Sequence, residues 1–189
     1  MQKKRGGHKA EGINKPLRTF RTADLKVEEY REEIARGAAV STYVILRTDA
    51  WVNVVALTTD KHLVLVRQHT YGAGATTTEL PAGSVQQQEP ESQAAARELR
   101  EETGFAGDEP ELLGYYFPNP ALQDNRCSAW LIQNARRTAA PCPDIGEELE
   151  VLTVPLRDVL DGTFSDINNG LSLTALFLFQ VRRPRVSTG

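Results

Sequence analysis

Several features that mark whole classes of protein are scarce in this 189-residue chain. It has only two cysteines, Cys127 and Cys142. That pair builds no disulfide framework and has no metal-binding spacing, so free thiols in a reducing compartment are expected. The three histidines, His8, His62 and His69, are scattered and mark no site. No apolar run approaches the roughly eighteen residues needed to cross a bilayer. The opening MQKKRGGHKAEGINK is basic with no apolar stretch behind it, so a cytoplasmic location is expected rather than secretion. No internal repeat occurs, and no low-complexity tract beyond Gln86–Gln88. What is left is an ordinary soluble globular composition, 40% hydrophobic and 25% charged. The length suits one domain with a substantial core and falls short of two full ones.

The net charge of -3 is spread unevenly. Lys3, Lys4, Arg5, Lys9, Lys15, Arg18 and Arg21 stand against Glu11 alone in residues 1–22, and Arg182, Arg183 and Arg185 close the chain. Basic ends on an acidic body are compatible with a nucleic-acid arm. A solvated tail is the preferred reading, because the early segment has few aromatics and no helical phase. Nucleic acid is therefore not expected as a partner, nor is a membrane.

Val27, Tyr30 and Ile34 in ADLKVEEYREEIARG share one helical stripe, and Gly37 is a natural stop, which predicts a short N-terminal helix. STYVILRT, WVNVVALTTD and HLVLVRQH are rich in β-branched residues and read as strands, with TTDK a turn between the last two. TYGAGATTT reads as a loop. Pro90 suits a first helical turn and Gly104 the position just past its end, framing a helix with Ala95, Ala96 and Leu99 on its apolar face. ELLGYYF, CSAWLI and ELEVLTV read as further strands, PLRDVLDG as a short helix, and LSLTALFLFQVRR as a C-terminal core helix behind Gly170. Strands and helices interleave without regular βαβ spacing, which predicts an α+β domain of α/β/α sandwich type. The expected division is an accessory segment over 1–39, the main domain over 40–181 and a basic tail over 182–189.

ARELREETGF, residues 96–105, poses the chemical question. Glu98, Glu101 and Glu102 crowd one side of two adjacent turns, where like charges destabilise a helix by roughly 0.2–0.5 kcal/mol per pair. Clustered carboxylates repel unless a divalent cation neutralises them, and hard Mg2+ or Mn2+ prefers such oxygen ligands. A helix fixes their spacing better than a loop. A site of this kind can polarise a diphosphate and acidify an attacking water. The plain alternative is a solvated acidic helix face.

Reading outward gives GSVQQQEPESQAAARELREETGF: Gly83, five residues, Glu89, seven more, Arg97-Glu98-Leu99, then Glu101-Glu102 and Gly104-Phe105. This resembles the Nudix hydrolase signature, G-x5-E-x7-R-E-U-x-E-E-x-G-U with U apolar, and every fixed position is filled. Seven fixed positions coincide by chance on the order of once in 10⁸ starting points. The resemblance implies the Nudix fold, a mixed sheet between helices, over residues 40–181. It implies hydrolysis of a nucleoside diphosphate linked to a further group, with Mg2+ or Mn2+ as cofactor and a homodimer as the assembly. By the same resemblance Glu98 and Glu102 are the principal metal ligands, Glu101 a further one, and the backbone carbonyl of Ala82 another. Arg97 and Glu89 would orient the glutamates and tie the loop at Gly83 to the helix, with Arg97 and Glu101 counted among the catalytic groups.

The flanks narrow the substrate. LVRQHTYGAGATTTELPAGSV resembles the approach to the motif in ADP-ribose and nucleoside diphosphate sugar pyrophosphatases. That implies Glu79 as an auxiliary metal ligand. Arg67 is then either a phosphate clamp or a surface strand-end charge. Thr70 stands where that group commonly carries a second arginine. Pro120 in YFPNPALQDNR matches a proline characteristic of the group, and Asn119, Asn125 and Arg126 beside it are candidates for hydrogen bonds to sugar or phosphate. In DIGEELEVLTVPL the pattern points to Glu147 as the base, with Glu148 as alternative and Glu150 inside the strand. Trp51 is left with two roles, stacking on a nucleotide ring or packing in the interior. The expected reaction cleaves a nucleoside diphosphate sugar such as ADP-ribose to a nucleoside monophosphate and a sugar phosphate. Its rivals are a dinucleoside polyphosphate, NADH, coenzyme A or capped RNA as substrate, and a non-catalytic ligand sensor.

Overall fold

The structure, a computed structural model, describes residues 16–21, 26–34, 39–142 and 148–182. They fall into two compact units. The smaller is an antiparallel sheet of β1 (Arg18–Arg21), β2 (Lys26–Ile34) and β3 (Ala39–Arg47), in the order β1-β2-β3. It includes residues 119–124, whose backbone meets β3 where Leu46 N–H donates to Leu122 O at 2.7 Å and Asp124 N–H to Leu46 O at 3.2 Å. The helix expected across Val27, Tyr30 and Ile34 is therefore a strand. β2 is paired on both sides, from Lys26 opposite Arg47 to Ile34 opposite Ala39 on the β3 side alone. Buried Glu28 forms ion pairs with Lys26 and Arg47. Two-sided pairing and the cross-strand Glu28–Arg47 ion pair outweigh a helix preference of tenths of a kcal/mol per residue. Gly37, and most of the two basic ends, lie outside the described residues.

The larger unit is built on an eight-stranded mixed sheet. Its path runs β11 (Glu150–Pro155), β5 (His62–Thr70), β4 (Trp51–Thr58), β10 (Cys127–Arg137), β8 (Phe105–Ala106). β6 (Ala75–Glu79) adds to β5, β7 (Ala82–Ser84) to β4, and β9 (Glu111–Tyr116) to β10. β4 and β10 are parallel, and the other pairings are antiparallel. Central β4 is buried from Val52 to Leu57, as a strand covered on both faces must be.

The two-residue period of β4 divides the core. Val52, Val54 and Ala56 pack with Ala94, Ala95 and Leu99 of α1 (Glu91–Thr103). Val55 and Leu57 pack with Leu156 of α2 (Leu156–Leu160) and Ala175, Leu176 and Phe179 of α3 (Gly170–Arg182). The result is the α/β/α sandwich. Each fully buried Leu or Val contributes about 1.5–3 kcal/mol relative to exposure. Ala96, expected on the apolar face of α1, is exposed, and Ala94 takes its place. β10 runs five residues past the expected end at Ile132. Asn134 takes φ 53 at a register shift there, and this bulge makes the polar stretch QNARR resemble a turn. TYGAGATTT, read as a loop, is only partly so, because β6 begins at Ala75. No helix among the described residues is long and apolar enough to cross a membrane.

Candidate functional site

The site forms where the loop of β7 meets α1. Pro90 stands at the N-cap with φ -63 and ψ 136, one residue ahead of the first helical turn. At the other end Gly104 adopts the left-handed φ of 73, and its N–H donates to Arg100 O at 2.9 Å. A Cβ at Gly104 would overlap the Ala139 carbonyl, so both conformation and space require glycine. Cys142 N–H caps Glu101 O at 2.7 Å, using another of the helix's terminal carbonyls. With both ends held, the face carrying Arg97, Glu98, Glu101 and Glu102 is fixed.

Arg97 is the hub. Its Nε and Nη2 donate to the two carboxylate oxygens of Glu89 at 2.8 and 3.0 Å, a bidentate pair. Nη1 donates to Glu98 Oε1 at 2.8 Å and Glu101 Oε2 at 2.9 Å, while Nη2 also reaches Ser84 O at 2.9 Å. One guanidinium thereby ties the loop, the stretch before the helix and two of its carboxylates together. The Arg97 hydrogen bonds hold the Glu89 carboxyl below its usual range, helped by the Gln86 N–H. In return Glu89 and the other carboxylates push the Arg97 guanidinium further up, so it stays charged.

Glu102 is buried, and its Oε2 accepts the Ala82 N–H at 3.1 Å. Gly83 lies against Glu98 so closely that a Cβ would overlap that carboxylate. Loop backbone and helix carboxylates thus meet with no side chain between them. Ala82, Gly83, Glu89, Arg97, Glu98, Glu101 and Glu102 form one connected set. Its donors to a cation would be carboxylate and carbonyl oxygens, the hard ligands that Mg2+ and Mn2+ take. Among the described residues no three His, Cys, Asp or Glu side chains gather as a ready cage, and a cation would compete with Arg97 for Glu98 and Glu101.

A model of the NUDIX domain matches residues 48–171, well over half of the chain. The chain belongs to the Nudix family. It is 28% identical to the ADP-ribose pyrophosphatase of Bacillus subtilis (strain 168) over 138 residues, 72% of this chain and 73% of that one. It is 32% identical to the mouse (Mus musculus) ADP-sugar pyrophosphatase over 107 residues, 52% of this chain and 47% of that one. A solved structure described as an ADP compounds hydrolase superposes with a TM-score of 0.73 at 25% identity, covering 91% of this chain and 96% of the other.

The other residues singled out in the sequence have partners of their own. Arg67 donates to Thr78 Oγ1 at 3.2 Å and pairs with Glu150 at 3.2 Å and Asp166 at 3.6 Å. It borders an open groove of about 420 Å3 with Gln68, His69, Thr76, Glu148 and Glu150. Buried Glu79 accepts from Gln68 Nε2 at 2.7 Å, from Thr77 Oγ1 at 3.1 Å and from Asn169 Nδ2. Arg126 pairs with Glu91 at 2.6 Å and stacks 4.0 Å above the Tyr115 ring. Half-buried Trp51 opens β4, its N–H donating to Arg126 O at 3.1 Å. Asn119 and Pro120 belong to the smaller unit, where Asn119 O accepts from Leu122 and Gln123 at 3.0 and 2.7 Å. Glu147 lies outside the described residues.

Sequence reasoning missed Ser84, whose contribution is a backbone carbonyl, and the polar residues Asn168, Asn169 and Ser172 at the start of α3. An Asn ahead of an apolar run is a helix-start signal, and here it is a true one. Asn169 Oδ1 accepts the N–H groups of Leu171 and Ser172 at 2.9 and 3.2 Å.

Proposed function

We propose that this Nudix protein hydrolyses a nucleoside diphosphate sugar, with ADP-ribose the first to test, to a nucleoside monophosphate and a sugar phosphate. The observation that carries this reading is the meeting of Glu98 and Glu102 with the Ala82–Gly83 backbone, an all-oxygen donor set locked by Arg97. Mg2+ or Mn2+ would be held there by Glu98, Glu101, Glu102 and the Ala82 carbonyl. When bound, such a cation offsets diphosphate charge and acidifies water. Arg97 keeps Glu98 and Glu101 aimed. Glu79, whose carboxylate holds Gln68, Thr77 and Asn169, is kept as an auxiliary ligand beside this set.

Substrate contacts fall to the groove beside Arg67, where Glu148 is exposed, with Glu147 kept as the base suggested by pattern. Trp51, Arg126, Asn119 and Pro120 remain the residues assigned to nucleotide and sugar. The pyrophosphatase names of the Bacillus subtilis and mouse relatives support the substrate class. Two free cysteines, one buried and one exposed, support a reducing, cytoplasmic setting, and a homodimer belongs to the same reading.

The test is phosphate release coupled to a phosphatase, with Mg2+ and separately Mn2+. It compares ADP-ribose, ADP-glucose, UDP-glucose and GDP-mannose with NADH, diadenosine polyphosphates and nucleoside triphosphates. Preference for the sugar diphosphates is expected. Preference for any other group, or equal rates across the panel, overturns the substrate class.

A further inference from the structure

The turn that presents Ala82 is held from a second side, by the first turn of α3. Leu80 N–H donates to Ser172 Oγ at 2.9 Å, and both residues are almost wholly buried. Glu79 accepts from Asn169 Nδ2. Thr78 N–H donates to Asn168 Oδ1 at 3.0 Å, and Asn168 N–H returns to Thr78 O at 3.3 Å. Three successive residues before Pro81 are thus indexed, one by one, against three polar residues of a single helix start. That start is itself fixed: Tyr116 Oη donates to Leu171 O at 3.2 Å and accepts from Asn53 Nδ2 at 2.9 Å.

The Ser172 hydroxyl is not needed to begin the helix, because Asn169 Oδ1 already caps the Leu171 and Ser172 N–H groups. Alanine is a better helix former than serine, and a buried hydroxyl is costly unless it is bonded. What Ser172 does is accept from Leu80. From Leu80 to Ala82 the chain has little freedom. Pro81 fixes its own φ, and its carbonyl accepts Val54 N–H at 2.9 Å. With Pro81 rigid in between, a displacement at Leu80 has few torsions to absorb it before it strains Ala82 in its place opposite Asn53.

We infer that Ser172, seconded by Asn169, is a positioning residue that sets the Ala82 carbonyl against the Glu98 and Glu102 carboxylates, so that α3 tunes a cation site whose principal side chains come from α1. The inference rests on the metal reading given under Proposed function. It is tested on the full chain by calorimetric titration with Mn2+ alone, beside thermal unfolding of each variant without metal. Ser172→Ala should raise the Mn2+ Kd about tenfold, the scale of losing an outer hydrogen-bond partner. Thr174→Ala loses a hydroxyl bonded to Gly170 O in the same helix, and its Kd should match wild type. Asn169→Ser keeps a capping oxygen but loses the donor to Glu79, and should also raise the Kd, by up to about tenfold. It carries the same expectation if Ser172→Ala does not fold.

A lower unfolding temperature with an unchanged Kd for both Ser172→Ala and Asn169→Ser would overturn the inference. So would an equal rise in Thr174→Ala, since that would report only a weakened α3. Glu102→Gln separates the two levels. If it weakens Mn2+ binding and Ser172→Ala does not, the inference fails while the metal reading stands. Wild type that binds no Mn2+ removes both.

Discussion

The stretch from Leu80 to Ser84 is gripped by two helices in different ways. On the α1 side the grip is ionic: Arg97 takes Ser84 O and three carboxylates, and Glu102 takes Ala82 N–H. On the α3 side Asn168 takes Thr78 N–H, Asn169 donates to the Glu79 carboxylate, and the neutral Ser172 hydroxyl takes Leu80 N–H in the interior. On the ionic side Glu102 is buried and Glu101 opens to solvent, 38% exposed, whereas Ser172 is 1% exposed. Charge near water can be rearranged by a cation or an anionic ligand. Neutral bonds in the interior have one satisfied arrangement and keep it. The pairing gives a loop that is adjustable on its chemical side and rigid on its structural side.

The sharpest way to break this contrast is to remove charge on α1 without removing shape. Glu102→Gln should lower turnover by at least about a hundredfold, more than the loss of an outer partner costs, and should leave the fold intact. Turnover within a few-fold of wild type would end the metal-helix reading. Leu99→Ala acts on the same helix from its buried face, in the Val52–Val54 core. It should cost about 2–5 kcal/mol in chemical denaturation while the Mn2+ Kd of the folded fraction stays put.

Smaller still is Glu89→Gln, which should cost on the order of 1 kcal/mol at neutral pH. Since Arg97 depresses the Glu89 pKa in the folded chain, the wild-type advantage is present above the unfolded carboxylate pKa. It should fade as pH falls from about 4.3 through the lower folded value. A difference that grows on acidification would contradict the assigned pairing. The smallest effect is chemical. Exposed Cys142 should react with a maleimide in the native state. Buried Cys127, its thiol pushed up to about 11 by desolvation, should react only on unfolding.

The ionic half of the loop's support was readable because it is local. Gly83 to Gly104 fall within one short span, and helical spacing converts their order directly into a face. Proline and glycine marked the ends of α1 to within a residue. The α3 half was not readable. Asn169 and Ser172 look like ordinary residues of a helix start, and their partners Glu79 and Leu80 lie some ninety positions earlier. The strand β2 was misread for a related reason. Its Val27, Tyr30, Ile34 stripe satisfies a helix locally, but the deciding bonds come from β1 and β3. β6 was hidden inside a threonine run with no apolar alternation, so only its pairing with β5 reveals it.

The span matched by the family, residues 48–171, also bears on how the protein can be shortened. A fragment trimmed to those limits would stop at the second residue of α3, discarding Ser172 and the core residues Ala175, Leu176 and Phe179. At the other end it would keep residues 119–124 yet lose Leu46 and Arg47, which bond Leu122 and Asp124. The unit recognised by descent and the unit that folds therefore have different edges. A minimal active version has to be cut by hydrogen bonds: through β3 at one end, and through the last turn of α3 at the other.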